Sequence, residues 1–287
     1  MINIKLITES IEAHSHKWIA EANEITALPE EERKFFLGCL PGDGELSDAL
    51  LESAAKSSYS TILAQKKVVT TTYPVRFDLR NVSGQNYITP IKSQDRCGSC
   101  VAFGAVAATE GTVKYNKQNP ALNCDLSEAH LFFCYAFQQG RNCGTGWFIP
   151  AALQCLQIGV VDDACFPYNI LQQNCTLCSN SQSRMTRITS YTQLTTHDQM
   201  KQWLVDNGPL VARFNVYSDF FSYKSGVYKY STGTLQGGHC VCCVGYDDSL
   251  NCWIMKNSWG QAWGEQGYFR INYGDCGIDA MMYGLLI

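Results

Sequence analysis

The run Gln94-Asp-Arg-Cys97-Gly-Ser-Cys100-Val-Ala-Phe-Gly-Ala-Val-Ala-Ala-Thr-Glu-Gly-Thr-Val-Lys-Tyr115 decides how this chain is read. From Gly98 onward it is apolar and Ala-rich. Propensity and length predict a buried helix of about four turns over Gly98–Tyr115, with Ser99 as N-cap. Two cysteines open it, and three chemistries use such a pair. One is a thioredoxin-like redox couple. Another is half a zinc site, although a second pair, Cys175 and Cys178, stands far outside ribbon spacing. The third is a nucleophile beside a structural cysteine. There Cys100 occupies the first helical turn, where free N–H groups and the helix dipole favour a thiolate.

A thiolate nucleophile needs a base, and the chain has five histidines. His14 and His16 lie in an acidic first quarter, His130 on a helix expected after Ser127, and His197 in a polar loop beside Asp198. His239 instead follows Gly237-Gly238 and opens a strand, 139 residues after Cys100. Asn257 follows in Lys-Asn-Ser-Trp-Gly. Two short strands joined by Asp247–Asn251 would set His239 and Asn257 side by side, so that the amide orients the imidazole as a carboxylate does in a serine triad.

Outward from this region, helices are expected at Phe148–Ile158 and after Leu126-Ser127-Glu128. From residue 186 the texture changes to short β-branched or aromatic runs (RITSYTQL, LVARFNVY, VYKYST, HCVCCVGYDD, CWIMKNSW, GYFRINYG) broken by Gly, Asp or Asn, which read as antiparallel strands. Helices thus dominate 95–160 and strands 185–287, an α+β arrangement of two lobes. The first quarter reads as helical at Ser10–Asn23 and around Pro29–Leu37, where proline and three glutamates make a good helix start. Lys66–Pro74 reads as an extended linker.

The chain has 287 residues, 22 Lys+Arg and 26 Asp+Glu, for a net charge of −4. No basic excess exists to hold a phosphate backbone, which counts against nucleic-acid binding. No apolar run is long enough to span a membrane. Residues 1–72 hold seven basic and eleven acidic residues, whereas 73–287 hold fifteen of each. The excess negative charge therefore sits in the first quarter, and a boundary is expected near residue 72. Fifteen cysteines point to an oxidising compartment, although Met1–Trp18 lacks the apolar core of a secretory signal.

The sequence resembles the papain-like cysteine peptidases over essentially all of 74–287. Gln94 and Cys97-Gly-Ser-Cys100 match the nucleophile segment, and Leu126-Ser127-Glu128 with Cys134 the next cysteine motif. Cys143-Gly-Thr-Gly146-Trp147 matches the substrate ledge, Gly238-His239 the histidine strand, and Asn257-Ser-Trp259-Gly-x-x-Trp263-Gly the asparagine motif. The resemblance implies a two-lobed papain fold, with a helical lobe at about 90–185 and a β lobe at about 186–280. It implies attack by Cys100, proton transfer by His239, orientation by Asn257, and an oxyanion hole from Gln94 and the Cys100 backbone N–H. Trp259 would shield the Asn–His bond, and Gly146, Trp147 and Gly238 would bind an extended peptide. Implied disulfides are Cys97–Cys143, Cys134–Cys175 and Cys165–Cys178. The remaining cluster of Cys240, Cys242, Cys243 and Cys252 reads as buried filler rather than a metal site.

The resemblance is closer to the cathepsin B branch, through Phe77-Asp78-Leu-Arg80, Tyr217-Ser-Asp-Phe220 and Tyr223-Lys-Ser-Gly-Val-Tyr228. Residues 1–72 would be an inhibitory propeptide lying backwards along the cleft and ending near Thr70–Tyr73. Acid would release it as its carboxylates protonate below about pH 5. Implied partners are peptide or protein substrates, the propeptide and cystatin-like inhibitors. The chain is expected to be a monomer without cofactor or metal, in a lysosome-like vesicle or secreted.

Four departures stand out. Val101 replaces the usual tryptophan, leaving room for a cavity beneath the helix start and supporting, alone, the alternative of a catalytically impaired papain-fold protein that binds peptides without cutting them. Thr145 replaces a ledge glycine and tightens it. Cys165–Cys178 is too short for an occluding loop and lacks histidine, so endopeptidase activity should outweigh release of dipeptides. Met281 stands where cathepsin B has a glutamate, making the pocket for the second residue before the cut apolar. Arg213 falls on a wall of that pocket. It either snorkels outward, as long charged side chains do, or points inward and suits an acidic side chain. Asn81 and Asn174 head glycosylation sequons.

Overall fold

The computed structural model describes residues 1–64 and 73–287. The expected linker and the end of the first quarter lie mostly outside the described residues.

The first quarter forms α1 (Ile4–Ala13), β1 (Ile19–Ala20), α2 (Glu24–Ala27), α3 (Glu30–Arg33), β2 (Cys39–Leu40) and α4 (Asp48–Ala64). The helix expected at Ser10–Asn23 thus lies earlier. Asn3 caps it through the Leu6 amide, and the chain turns out of it at Ser15, whose φ is +55°. The later half is extended because Ile19 and Ala20 pair with Ser225 and Tyr223, and because Trp18 is drawn into the body of the protein. Its indole N–H donates to the Lys229 carbonyl at 2.9 Å, and its ring meets Tyr228 with centroids 5.1 Å apart. Trp18, Phe36, Leu37, Leu51 and Ala55 are all buried. Each large apolar anchor of this kind contributes about 1.5–3 kcal/mol relative to exposure, so the segment is held as part of the core.

After β3 (Arg76–Asp78) comes the helical half: α5 (Cys100–Asn116), β4 (Trp147–Phe148) and α6 (Ile149–Ile158). Cys100 through Tyr115 are all buried. The helix can lie this deep because its small residues let the sheet approach. A Cβ on Gly104 would sit 2.7 Å from the Cys240 sulfur. Ser99 precedes α5 but does not cap it; its hydroxyl lies 2.7 Å from that of Tyr168. The helix after Ser127 forms too, with π-helical hydrogen bonding over His130–Ala136.

The sheet half follows with β5 (Ser190–Leu194), α7 (His197–Asp206), β6 (Leu210–Tyr217), β7 (Tyr223–Ser225), β8 (Val227–Tyr228), β9 (Leu235–Asp247), β10 (Cys252–Lys256), β11 (Tyr268–Asn272) and β12 (Met282–Leu286). The main sheet runs β5-β12-β6-β9-β10-β11-β8, with β3 also on β9. The expected strands form. β12 is an addition, and the β11–β8 pair is parallel in an otherwise antiparallel sheet. His197 is no loop residue: it is buried in α7, with Nε2 2.7 Å from Asp279. The two halves give the papain-like α+β fold.

Candidate active site

Cys100 begins α5, and the loop before it is held by the Cys97–Cys143 disulfide and by the Gly98 amide donating to the Cys143 carbonyl at 2.8 Å. Bridging Cys97 to Cys143 removes both the Cys97–Cys100 redox couple and the zinc half-site. The other bridges are Cys134–Cys175 and Cys165–Cys178. The remaining nine cysteines are free, and all but Cys124 are buried. The high cysteine count therefore reflects apolar filling more than cross-linking. Cys240, Cys242, Cys243 and Cys252 belong to this buried set. Among the described residues no group of three or more His, Cys, Asp or Glu side chains is placed to hold a metal ion.

The β9–β10 hairpin sets His239 beside Asn257. His239 Nε2 lies 2.8 Å from Asn257 Oδ1, which also accepts the Ser258 amide at 2.8 Å. That oxygen can only accept, so Nε2 carries the proton and Nδ1 keeps a lone pair. Nδ1 has no hydrogen-bond partner among the described residues. Trp259 covers the imidazole with centroids 4.8 Å apart. The backbone at Cys240, one residue beyond His239, acts on the Cys100 thiol in the direction of the thiolate, and a Cβ on Gly104 of the same helix would lie 2.7 Å from the Cys240 sulfur, so helix start and histidine strand pack together.

Gln94 is fully buried and bridges the two halves. Its amide nitrogen donates to the Cys97 carbonyl at 2.8 Å, and its oxygen accepts the Ser258 hydroxyl at 2.7 Å. Ser258 was not singled out from sequence, although it stands between Asn257 and Trp259 in the asparagine motif.

The first quarter occupies the groove between these elements. The Gly38 amide donates to the Gly238 carbonyl at 3.1 Å, and the Gly38 carbonyl accepts the Trp147 amide at 2.8 Å. β2 runs parallel to β4. Pairing with the ledge thus uses the Trp147 amide rather than Gly146. Gly146 serves the close approach: a Cβ there would come within 2.2 Å of the Gly38 carbonyl oxygen. Gly38 itself adopts φ +141°, and a Cβ on it would lie 2.4 Å from the Gly98 oxygen. The Trp259 indole donates to the Phe36 carbonyl at 3.0 Å.

This burial suppresses ionisation. His239 is pushed down to about 4 by loss of solvent, which outweighs the opposing bond to Asn257. The Cys100 thiol is pushed well up, by burial first and by the neighbouring Cys39 thiol second. The thiolate expected from the helix dipole is therefore not favoured here, because desolvation beneath the covering segment outweighs it.

Val101 is fully buried. A void of about 10 Å³ is lined by Phe103, Gly104, Ala107 and Lys256 among others, but not by Val101. The Thr145 hydroxyl closes the ledge turn onto the Asn142 amide at 2.9 Å. Asn81 and Asn174 are exposed. Met281 is buried, its sulfur 3.3 Å from Gln193 Nε2. Arg213 does not snorkel outward. It is 3% exposed and turns toward the first quarter.

Residues 73–285 match the family described as papain family cysteine protease. Among curated proteins, Cathepsin B-like CP2 of Giardia intestinalis is 34% identical over 233 residues, covering 73% of each chain. Cathepsin B-like CP3 of the same organism is 33% identical over 266 residues, covering 84% of this chain and 83% of that one. Among solved structures, proCathepsin B S9 from Trypanosoma congolense superposes with a TM-score of 0.78 over 99% of this chain and 98% of its own, at 23% identity, a likeness of fold. The family match over 73–285 and the similarity to curated cathepsin B-like proteins show that the chain belongs to the cathepsin B-like papain family of cysteine proteases.

Proposed function

We propose that the chain is a cysteine endopeptidase made as a zymogen, with residues 1–72 as inhibitory propeptide and 73–287 as catalytic domain. The observation that carries this reading is the Gly38–Cys39 backbone held between Gly98 and Gly238, the residues flanking nucleophile and base.

Once the propeptide has left, His239 Nδ1 takes the Cys100 proton and the thiolate attacks the peptide carbonyl carbon, moving the C=O electron pair onto oxygen. The Gln94 side-chain amide and the Cys100 backbone N–H stabilise that oxyanion. Collapse breaks the C–N bond as His239 returns its proton to the leaving amine. Water, deprotonated by His239, then hydrolyses the thioester and restores Cys100. Asn257 holds the imidazole throughout, and Trp259 keeps water from that bond. Substrate lies along Gly146–Trp147 and Gly238. The short, histidine-free Cys165–Cys178 loop leaves the cleft open beyond the cut, which supports internal cleavage over dipeptide release. Three disulfides fit a vesicular or secreted location. The enzyme works as a monomer that cystatin-like proteins could inhibit.

The test is acidification of purified full-length chain, labelling with an epoxide thiol inhibitor and mapping of the label, beside a Cys100→Ala control. Label on Cys100, with internal cuts in a protein substrate, supports the proposal. A chain that neither processes nor labels refutes the activity, and release of dipeptides alone refutes the endopeptidase reading.

A further inference from the structure

Arg213 lies on β6 opposite Cys240 of β9, one residue past His239. A Cβ on Gly238 would stand 3.1 Å from Arg213 Nε, so the guanidinium lies against the residue whose carbonyl holds Gly38. Among the described residues, every acceptor on this cation comes from the N-terminal segment. Nε donates to the Cys39 carbonyl at 3.5 Å, Nη1 to the Leu46 carbonyl at 3.4 Å, and Nη2 pairs with the Asp48 carboxylate. The described residues of the catalytic half supply none.

Nearby groups of the catalytic half also engage acidic residues of the segment. Asn215 Nδ2 donates to Glu52 at 2.9 Å and to the Asp48 carbonyl at 3.0 Å. The Tyr217 hydroxyl donates to Glu52 at 2.5 Å. On the neighbouring β12, the Tyr283 hydroxyl donates to Glu45 at 2.5 Å and lies 3.9 Å from the Met281 sulfur. Residues 213, 215 and 217 alternate along β6 and so share one face of the strand. That face is built of donors and a cation, and it is covered by Glu45, Asp48 and Glu52.

When the segment leaves, the Arg213 guanidinium keeps its charge and its five N–H donors but loses these acceptors. The cation is then uncovered with its geometry still set by the strand, and the group that best replaces the lost acceptors is another carboxylate, held by two parallel N–H···O bonds. The methionine beside Tyr283 adds an apolar surface suited to the methylenes of glutamate.

We propose that Arg213 is a specificity-determining residue, receiving the carboxylate of an acidic side chain, glutamate above all, at the second substrate residue before the cut. Asp48 occupies its place in the closed form. This rests on the proposed peptidase activity and names its substrate class.

The experiment uses acid-matured enzyme, quantified by Cys100 labelling, and fluorogenic peptides carrying Glu, Gln or Leu in turn at each of the three positions before the cut. Assays run at pH 6, where a glutamate side chain is ionised. The expected result is a kcat/KM preference for Glu over Gln of about tenfold at the second position. Arg213→Met should reduce that ratio below about twofold and make Leu the preferred residue at that position, whereas Arg213→Lys should keep part of the Glu preference. A wild type that prefers Leu, or treats Glu and Gln alike, overturns the proposal, as does an unchanged ratio in Arg213→Met. If no peptide is cut, the activity fails separately. Fluorescence anisotropy of labelled Glu and Gln peptides on the same protein then decides the role of Arg213, and equal binding overturns it.

Discussion

The covered active site makes a quantitative demand on pH. In the closed form His239 is held neutral, its pKa lowered from 6.5 to about 4 by burial. With the N-terminal segment lifted away, the imidazole regains water and titrates near its ordinary value. The open form then binds a proton more readily than the closed form below pH 6.5. Closure is fully favoured above that pH, loses ground as pH falls, and loses no more once pH passes below about 4. A full pH unit inside the window is worth about 1.36 kcal/mol, but the open form is already half protonated at 6.5, so a fall from 6.5 to 5 weakens closure by about 1.6 kcal/mol, roughly 15-fold in the opening equilibrium. The assay is amide hydrogen exchange in the Cys100→Ala full-length chain, which cannot process itself. It is read at the Gly38 amide, bonded to Gly238, and at the Trp147 amide, bonded to Gly38, after correction for intrinsic exchange rates. Protection should drop by about 15-fold between pH 6.5 and 5, and a further His239→Asn substitution should flatten the change. His16, 2.8 Å from the Ser231 hydroxyl and also lowered by burial, pulls in the same direction; the His239→Asn comparison removes its share. Unchanged protection across this range, or an equal drop in the His239→Asn protein, would refute the reasoning.

Asn257→Ala removes the acceptor that holds His239 and should lower kcat on the order of 10²-fold with KM little changed, as measured on the matured enzyme. Gly38→Ala places a Cβ where 2.4 Å separates it from the Gly98 oxygen. Propeptide closure should weaken by about 1–3 kcal/mol, and the precursor should mature at least several-fold faster in a gel time course. Glu110 is fully buried and accepts the Leu126 amide at 2.7 Å and the Thr89 hydroxyl at 2.5 Å, with Lys92 at 3.5 Å. Glu110→Leu should destabilise the fold by about 3–5 kcal/mol in urea unfolding, because Lys92 loses one of its buried counter-charges and the donors are orphaned.

Much of the site was legible from residue order, since its parts are local motifs. Cys100 follows a loop and begins an Ala-rich helix, while His239 and Asn257 flank one hairpin, and such signals survive in short windows. The first quarter was read less well. Its periodicity placed a helix over Ser10–Asn23, yet Trp18 binds the Lys229 carbonyl and Ile19 pairs with Ser225, contacts some two hundred residues away that no window contains. The helix Asp48–Ala64 went unread for a related reason. Its buried residues Leu51 and Ala55 are defined by the surface it covers, while its exposed face carries Ser53, Lys56, Ser57 and Ser60.

Residue identity alone settled the chemical inventory: a thiol at a helix start, an imidazole with an amide partner, an amide donor at Gln94, and an acidic first quarter followed by a charge-balanced remainder. Tertiary structure decided the state of that inventory. It turned Arg213 inward onto Asp48 and laid Gly38 against Gly98 and Gly238. It also held Cys100 and His239 neutral. The division has a physical cause. Side-chain chemistry and local propensity are properties of neighbouring residues, whereas desolvation and charge pairing depend on which distant surface excludes the water.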